Sequence, residues 1–495
     1  MKLKRSPRPD VRLGTALVAA KLTGVAIRRL GRGGGTAAPG LVADRIDPNL
    51  LAKVSQRLPR GTVVVAGTNG KTTISRMLAD MLEAHGWRVA HNRSGSNLVR
   101  GVAAALAGRS TLGGDPRADI GVIEADEAAF PEIVRRVRPR LILLNNLFRD
   151  QLDRYGELNT IATRWSAALA TVPDDITIVF NGDDPTLSAI AEHLPMRRLP
   201  FGLADANPLF QLSALPHAAD AATCRACGSD LAYHALYASH LGDWYCPRCG
   251  RARPPLALSG TNIRLDGVDA LHVTVASDDV SAAAHASNGT TETTARVPGH
   301  QLELAVNVPG LYNVYNVIAA VAAAKALGLS DATIVSALAS FRAAFGRLER
   351  ITFRGRTLIV ALVKNPVGFN ETLRMLTMET GGLTVTTLIA INDLDADGRD
   401  VSWLWDVDFE LLARGDAPLF TTGLRGADMA NRLKYAGVAT DRVHPLSPAL
   451  AVALDAFIET VPEGATAYIL PTYTAMLGLR RTLAELGAVE TFWRQ

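Results

Sequence analysis

An α/β fold in two successive domains is predicted by three observations. Short apolar runs alternate with helical patterns along most of the 495-residue chain, the mark of a mainly parallel sheet covered by helices. The first such run leads straight into the glycine-rich GTNGKT at 67–72. Two C-x-x-C pairs interrupt the alternation near mid-chain, and it resumes after about residue 350.

The bulk numbers fit a globular protein of two or three domains with ample core: charged residues are 20% and the hydrophobic set 48%. Net charge is only +4, so composition gives no indication of a nucleic-acid partner. The expected division is a basic N-terminal segment (1–54), a central domain (55–348) with an insertion at 205–260, and a C-terminal α/β domain (349–495).

The N-terminal segment is locally basic. Lys2, Lys4, Arg5, Arg8, Arg12, Lys21, Arg28, Arg29 and Arg32 face one acid, Asp10. Its apolar stretch LGTALVAAKLTGVAI is interrupted by Lys21 and closed by Arg28-Arg29 without a cleavage site, so it does not read as a signal peptide. It is also too short and too charged to span a bilayer. Two readings stay open: a basic helix lying on an anionic membrane surface, and a helix packed on its own domain. The expected location is the cytoplasm, with peripheral contact at the inner face of the membrane under the first reading.

A glycine-rich stretch at 31–40 and a short helical segment at 48–58 lead to the strand Thr62–Ala66 and its helix, 72–86. Further strands are expected at 120–123, 141–144 and 176–180. Residues 276–296, rich in Ser, Thr and Ala, read as a loop or hairpin. An alanine-rich helix, 314–327, ends at Gly328. In the last domain strands are expected at 357–363, 385–391, 419–421 and 467–470.

The chemistry starts at GTNGKT. A glycine-rich turn between strand and helix aims backbone N–H groups at an anion, and the helix dipole adds to the attraction. Gly67, Thr68, Asn69, Gly70, Lys71, Thr72 and Thr73 are therefore the expected nucleotide-binding residues, with Lys71 on the β- and γ-phosphates and Thr72 toward Mg²⁺. VIEADEAAF ends the 120–123 strand with Glu124, Asp126 and Glu127. A carboxylate at the carboxyl end of a neighbouring parallel strand suits a Mg²⁺ ligand, and Glu124 is preferred. NNLFRDQLDRYG gathers Asn145, Asn146, Asp150 and Asp153 on a turn able to hold a second ion or a substrate group. Asn313 and Asn316 in GLYNVYN either read a nucleobase edge or serve as turn and cap residues. Arg347 lies at the domain junction.

CRAC at 224–227 and CPRC at 246–249 stand 18 residues apart, the spacing of a closed four-thiolate zinc site. Cys224, Cys227, Cys246 and Cys249 are thus the expected ligands of a structural zinc ribbon. The last domain carries KNPVGFNE (364–371) and the acid-rich NDLDADGRDVSWLWDVDFE (392–410), where Trp403 and Trp405 favour a shaped site or partner surface over a solvated loop.

Together these residues resemble the Mur ligase superfamily, through GTNGKT, VIEADE, the NN-x-x-x-D-x-x-D loop, GLYNVYN and FGRLER. More narrowly they resemble the MurT family, through NRSGSNLVRG (92–101), the four-cysteine insertion, KNPVGFNE and the 392–410 block. The resemblance implies a Mur ligase central P-loop domain with an inserted four-cysteine zinc ribbon and a C-terminal Rossmann-like domain. It implies ATP-dependent amidation of the D-glutamate α-carboxyl of the lipid II stem peptide through an acyl phosphate, with Mg²⁺. Every cysteine belongs to the zinc set, so a cysteine glutaminase must be another chain; the family's partner is a GatD-type glutaminase. An aspartate of the 392–410 block is expected to complete the partner's Cys-His pair, with Asp397, Asp400 and Asp406 as candidates. The chain departs from the wider family at Tyr312 and Gln151, where histidines are usual. No lysine lies between 154 and 300, so a carbamylated lysine bridging a second Mg²⁺ is absent. The competing readings are an amino-acid-adding Mur or folylpolyglutamate-type ligase, a zinc-ribbon nucleic-acid-binding ATPase and a non-catalytic nucleotide-holding scaffold.

Overall fold

A computed structural model describes residues 10–29, 37–92, 97–149, 158–216, 219–277, 300–342, 347–378 and 380–489. Asp150, Gln151, Asp153 and most of the 276–296 stretch lie outside these residues.

The chain opens with three helices, α1 (Val11–Arg29), α2 (Ala38–Ile46) and α3 (Leu50–Ser55). An alternating section follows: β1 (Thr62–Ala66), α4 (Lys71–Ala84), β2 (Val89–His91), α5 (Val99–Arg109), β3 (Ile120–Ala125), α6 (Phe130–Val137), β4 (Leu141–Leu144), α7 (Leu158–Leu169), β5 (Thr177–Asn181), α8 (Pro185–Ala191) and β6 (Arg197–Leu203). A two-stranded antiparallel hairpin, β7 (Ala232–Ala238) and β8 (Leu241–Tyr245), precedes β9 (Leu258–Asp266), β10 (Ala270–Ser277) and β11 (Gln301–Val306). Helices α9 (Leu311–Ala326) and α10 (Asp331–Ala339) complete this part.

Its sheet runs β11-β10-β9-β6-β5-β4-β1-β3-β2. Neighbours from β2 to β9 pair parallel, and β9, β10 and β11 pair antiparallel. The parallel strands are apolar on both faces because helices cover both. Val63 and Val65 of β1 face α4 and α9, while Val64 and Ala66 face α3, α5 and α6. On α4, Ile74, Met77, Leu78, Met81 and Leu82 are fully buried, each contributing about 2 kcal/mol of apolar transfer. Helix α9 is buried nearly all round because it crosses the sheet beneath α4. It ends where Gly328 takes φ +87°, with Leu329 N–H bonded to Ala324 O at 3.1 Å.

The last part contains β12 (Arg347–Phe353), β13 (Arg356–Ala361), α11 (Pro366–Thr377), β14 (Thr387–Ala390), β15 (Leu419–Thr422), α12 (Gly426–Tyr435), β16 (Val443–Pro445), α13 (Leu450–Thr460), β17 (Thr466–Pro471) and α14 (Tyr473–Glu485). The sheet order is β12-β13-β17-β14-β15-β16, parallel except for the β12–β13 hairpin. Helices α11 and α12 cover one face and α13 and α14 the other. The sequence reading placed four of these strands but did not identify β12 or β16.

Candidate active site

Strand β1 lies between β3 and β4, so the loop after it meets the carboxyl ends of both neighbours. Gly67 and Gly70 take φ +150° and +85°, a region costly for any residue with a Cβ. A Cβ on Gly70 would lie 2.0 Å from Asn316 Oδ1, so glycine is required for space as well. The loop is braced from β4. Thr68 N–H bonds Asn146 O at 3.0 Å, Asn69 N–H bonds Asn146 Oδ1 at 2.8 Å, and Thr68 Oγ1 accepts from Phe148 N–H at 3.0 Å. Asn145 Nδ2 donates to Asn69 O at 3.0 Å and to Asn316 Oδ1 at 3.1 Å. Asn145 and Asn146, read above as holders of an ion or substrate group, thus hold the phosphate loop in shape.

Asn313 and Asn316 extend this amide chain. Asn316 Nδ2 donates to Asn313 Oδ1 at 2.8 Å, and Asn313 Nδ2 to Pro309 O at 2.7 Å. Asn316 therefore ties α9 to the loop brace through Asn145, while Asn313 orients Asn316 and closes the turn that opens the helix. Asn316→Ala is expected to weaken ADP binding about tenfold by loosening Asn145 and Gly70, as measured by calorimetry; unchanged affinity would show the tie to be unimportant.

Lys71 is buried. Its Nζ lies 3.0 Å from Glu127 Oε2 and 3.1 Å from Thr68 O, and also donates to Gly67 O. Burial pushes its pKa down, but the carboxylates of Glu127, Glu124 and Asp126 outweigh that and the net shift is upward. Glu124, Asp126 and Glu127 are all buried at the end of β3. Glu124 is pinned through its backbone by Asn92, whose amide exchanges two 2.9 Å bonds with it. Thr72 is half-buried and Thr73 buried in the first turn of α4. The sequence did not single out Glu127 as the partner of Lys71, since nothing local links them across 56 positions.

The loop faces a cavity of ≈110 Å³ shared with the C-terminal part, lined by Asn69, Gly70, Tyr312, Asn316, Lys364 and Glu371 among others. Asn365 Nδ2 donates to Asn69 Oδ1 at 3.0 Å across this junction, and its own Oδ1 caps α11 through Gly368 N–H. Glu371 is buried, and that burial raises its pKa against the pull of Arg374. Arg347 begins β12, in register with Ala361 of the cavity wall; its side chain lies outside the described residues.

The four cysteines converge, with their sulfurs all within 4.8 Å of one another. Cys224 Sγ is 3.6 Å from Cys249 Sγ, and Cys227 Sγ is 3.5 Å from Cys246 Sγ. Thiolates at the corners of a tetrahedral zinc site stand about 3.8 Å apart, given a Zn–S bond of about 2.3 Å, so the set fits that ion. The cysteines form no disulfide. Each pair is followed by a glycine at φ +73°, Gly228 and Gly250, whose N–H returns to the first cysteine's carbonyl.

The cysteine-bearing segment is stapled to the first sheet. Gly242 N–H bonds Asp183 O at 3.1 Å, Trp244 Nε1 bonds Gly182 O at 3.1 Å, and Arg253 pairs with Asp183 at 2.9 Å. Asp183 also accepts from Tyr315 of α9 at 2.7 Å. At the hairpin tip His240, fully buried, lies 3.6 Å from Asp184 and 5.0 Å from the Phe148 ring. Asp184 in turn holds Leu147 N–H at 2.9 Å, just after the Asn145-Asn146 brace.

Comparison with known proteins agrees with this architecture. A Mur ligase middle domain matches residues 65–226 and a MurT ligase C-terminal domain matches 362–476. The chain is 32% identical over 473 residues to a protein of Streptococcus pneumoniae named lipid II isoglutaminyl synthase (glutamine-hydrolyzing) subunit MurT, covering 94% of this chain and 96% of that one. The chain belongs to the MurT family. The protein of the same name from Staphylococcus aureus is 28% identical over 435 residues, covering 86% and 89% of the two chains. Among solved structures, a pseudomurein peptide ligase type C from Methanothermus fervidus superposes with a TM-score of 0.63 at 16% identity, covering 86% of this chain and 78% of that one. That likeness shows the shared fold.

In the MurT C-terminal part the three candidate aspartates have different surroundings. Asp397 is buried, and both its carboxylate oxygens are held by Thr474, one by the backbone N–H at 2.8 Å and the other by the hydroxyl, at the start of α14. Its burial pushes the pKa up against these bonds. Asp400 is exposed and accepts from Ser402 N–H at 2.8 Å and Ser402 Oγ at 2.9 Å, which lower its pKa. Asp406 is half-exposed, 3.7 Å from Arg149. None of the three lines the cavity at the phosphate loop.

Proposed function

We propose that this MurT-family chain is the ATP-dependent ligase of a lipid II isoglutaminyl synthase, converting the D-glutamate of the stem peptide to D-isoglutamine. The observation that carries the reading is a complete phosphate loop with a charged, buried Lys71 opening on a cavity closed by the C-terminal part.

A carboxylate is a poor electrophile until one oxygen becomes a leaving group. The α-carboxylate oxygen attacks the γ-phosphorus of ATP, the bond to the β-phosphate oxygen breaks, and ADP leaves. Ammonia then attacks the acyl carbon, phosphate departs with the C–O bond, and the nitrogen loses a proton. Lys71 and the N–H groups at the start of α4 stabilise charge on the transferring phosphoryl group, while the Thr68 and Asn69 N–H groups hold the loop to Asn146. Thr72 and Glu124, at the start of α4 and the end of β3, are the residues to hold Mg²⁺, which supplies further charge neutralisation at the phosphates. Cys224, Cys227, Cys246 and Cys249 hold a structural zinc ion; their packing leaves no open position for substrate.

The ammonia comes from a GatD-type glutaminase in a heterodimer, because every cysteine here is engaged in the zinc set. The acid for the partner's Cys-His pair is supplied from the 392–410 block; of Asp397, Asp400 and Asp406, Asp400 is the most open to another chain. Reaction takes place on the cytoplasmic side. The test is amidation of lipid II by the purified chain with ATP, Mg²⁺ and concentrated ammonium, read as the mass change from carboxylate to carboxamide. ATP-dependent product is expected. Product with an amino acid in place of ammonia would favour an amino-acid-adding ligase, and no product even with glutaminase and glutamine present would sink the assignment.

A further inference from the structure

The first helix exposes an apolar stripe that the described residues leave uncovered. Leu13, Ala16, Leu17 and Ala20 bury one face of α1 in the cluster that includes α2 and α5. On the opposite side Val11 is 75% exposed, Val18 39%, Leu22 64% and Val25 38%. Steps of seven, four and three residues set these four in one line along the helix, and exposed Thr15 and Arg29 lie in the same line.

The surrounding charge is one-sided. Along the described helix stand Arg12, Lys21, Arg28 and Arg29 against the single acid Asp10, and Asp10 is already paired with Lys53 at 2.7 Å. Arg12 and Lys21 flank the stripe, turned to Ile46 O at 2.7 Å and Gly108 O at 2.9 Å. No helix among the described residues is long and apolar enough to cross a membrane.

We propose that this face of α1 seats on an anionic bilayer surface, with the helix lying in the interface and its net positive charge drawn to the lipid headgroups. The proposal rests on the reading that the substrate is lipid-linked, since a ligase acting on a membrane-borne stem peptide gains from being held at the same surface. A second copy of the chain is a poorer occupant. Pairing two such faces would bring two strongly cationic segments together, and four aliphatic side chains fall well short of the roughly 20–30 residues a side of a stable dimer. The stripe lacks aromatic anchors, so binding is reversible and mainly electrostatic.

The test is co-sedimentation of the full chain with vesicles of phosphatidylcholine alone or with about one third phosphatidylglycerol, at low and high salt. Binding to the anionic vesicles only, falling with salt, is expected. The double variant Val11→Glu, Leu22→Glu should lower the partition at least about tenfold while leaving the melting temperature unchanged, because both side chains are exposed. Equal binding of variant and parent, equal binding to neutral vesicles, or a concentration-dependent dimer abolished by the variant would overturn it. Amidation of detergent-solubilised lipid II by both proteins separates the two readings: its absence rejects the ligase, whereas its retention with no vesicle binding rejects only the membrane face.

Discussion

Replacing Lys71 by alanine is expected to lower kcat/KM for ATP-dependent amidation by about three orders of magnitude, in the range seen when a phosphoryl-stabilising cation is removed. The lysine needs no proton to become active. Its pKa is raised by Glu127, Glu124 and Asp126 in spite of burial, so its charge persists throughout the neutral range. The contribution of that charge to stability is complete below the ordinary lysine pKa, about 10.4, and is lost only as pH rises through the still higher value in the folded chain. A pH–rate profile near neutrality should therefore not report Lys71.

The substitution also leaves Glu127 buried without its 3.0 Å partner. Breaking a buried pair costs about 3–5 kcal/mol when the remaining charge stays ionised. Melting should therefore accompany kinetics. Lys71→Arg separates the two effects, because it keeps a charge for Glu127 but brings a planar fork into a space made for an ammonium. It should recover stability more than turnover. Retention of more than about a tenth of the activity by Lys71→Ala, against the expected loss, would remove the lysine from the phosphoryl-transfer step.

Breaking the four-cysteine set is expected to have the other large effect, and to reach beyond the cysteines themselves. Cys246 is 1% exposed and bonds Arg251 O through its N–H. Structural zinc contributes about 10–16 kcal/mol in small zinc domains, so Cys246→Ser should lose the metal and the fold of the hairpin. The hairpin supplies Gly242 and Trp244 to the Gly182–Asp183 turn, His240 to Asp184, and Ala238 and Leu241 to the wall of the cavity at the GTNGKT loop, and Arg253 just beyond it pairs with Asp183. ADP affinity should therefore fall at least tenfold together with zinc content, read by calorimetry and elemental analysis on the same samples. Zinc-free parent protein would remove the metal from the cysteine set, and a zinc-free variant with full ADP affinity would show the hairpin to be independent of the site.

Much of this organisation was legible in the sequence because it is local. Buried parallel strands read as continuous apolar runs, so Thr62–Ala66 and Leu141–Leu144 were placed with their observed bounds. The antiparallel extension was not, because β11 alternates as QLELAV with polar residues outward and β12 opens with the charged RLER. NGDD reads as a turn and carries no local sign that Asp183 receives the cysteine hairpin and Asp184 supports the loop brace. Asn313 and Asn316 read as base contacts or turn residues; Asn313 does close the turn onto Pro309, and Asn316 accepts from Asn145 and leaves no room for a side chain at Gly70. Nothing local in KNPVGFNE marks Glu371, which α11 carries to the cavity.

By itself the sequence determined the glycine-rich turn between β1 and α4, the pairing of the cysteines by spacing and much of the succession of strands and helices. Each depends on a spacing of a few residues that one turn of backbone can satisfy. Only the tertiary structure decided that Lys71 meets Glu127, that Asn316 lies against Gly70, that Asn365 closes on Asn69 and that the cysteine hairpin braces the nucleotide site. Those contacts follow from placing β1 between β3 and β4 and from docking the second sheet at the loop. Sheet order is set by which apolar faces pack together over the whole chain, and a local spacing carries no record of it.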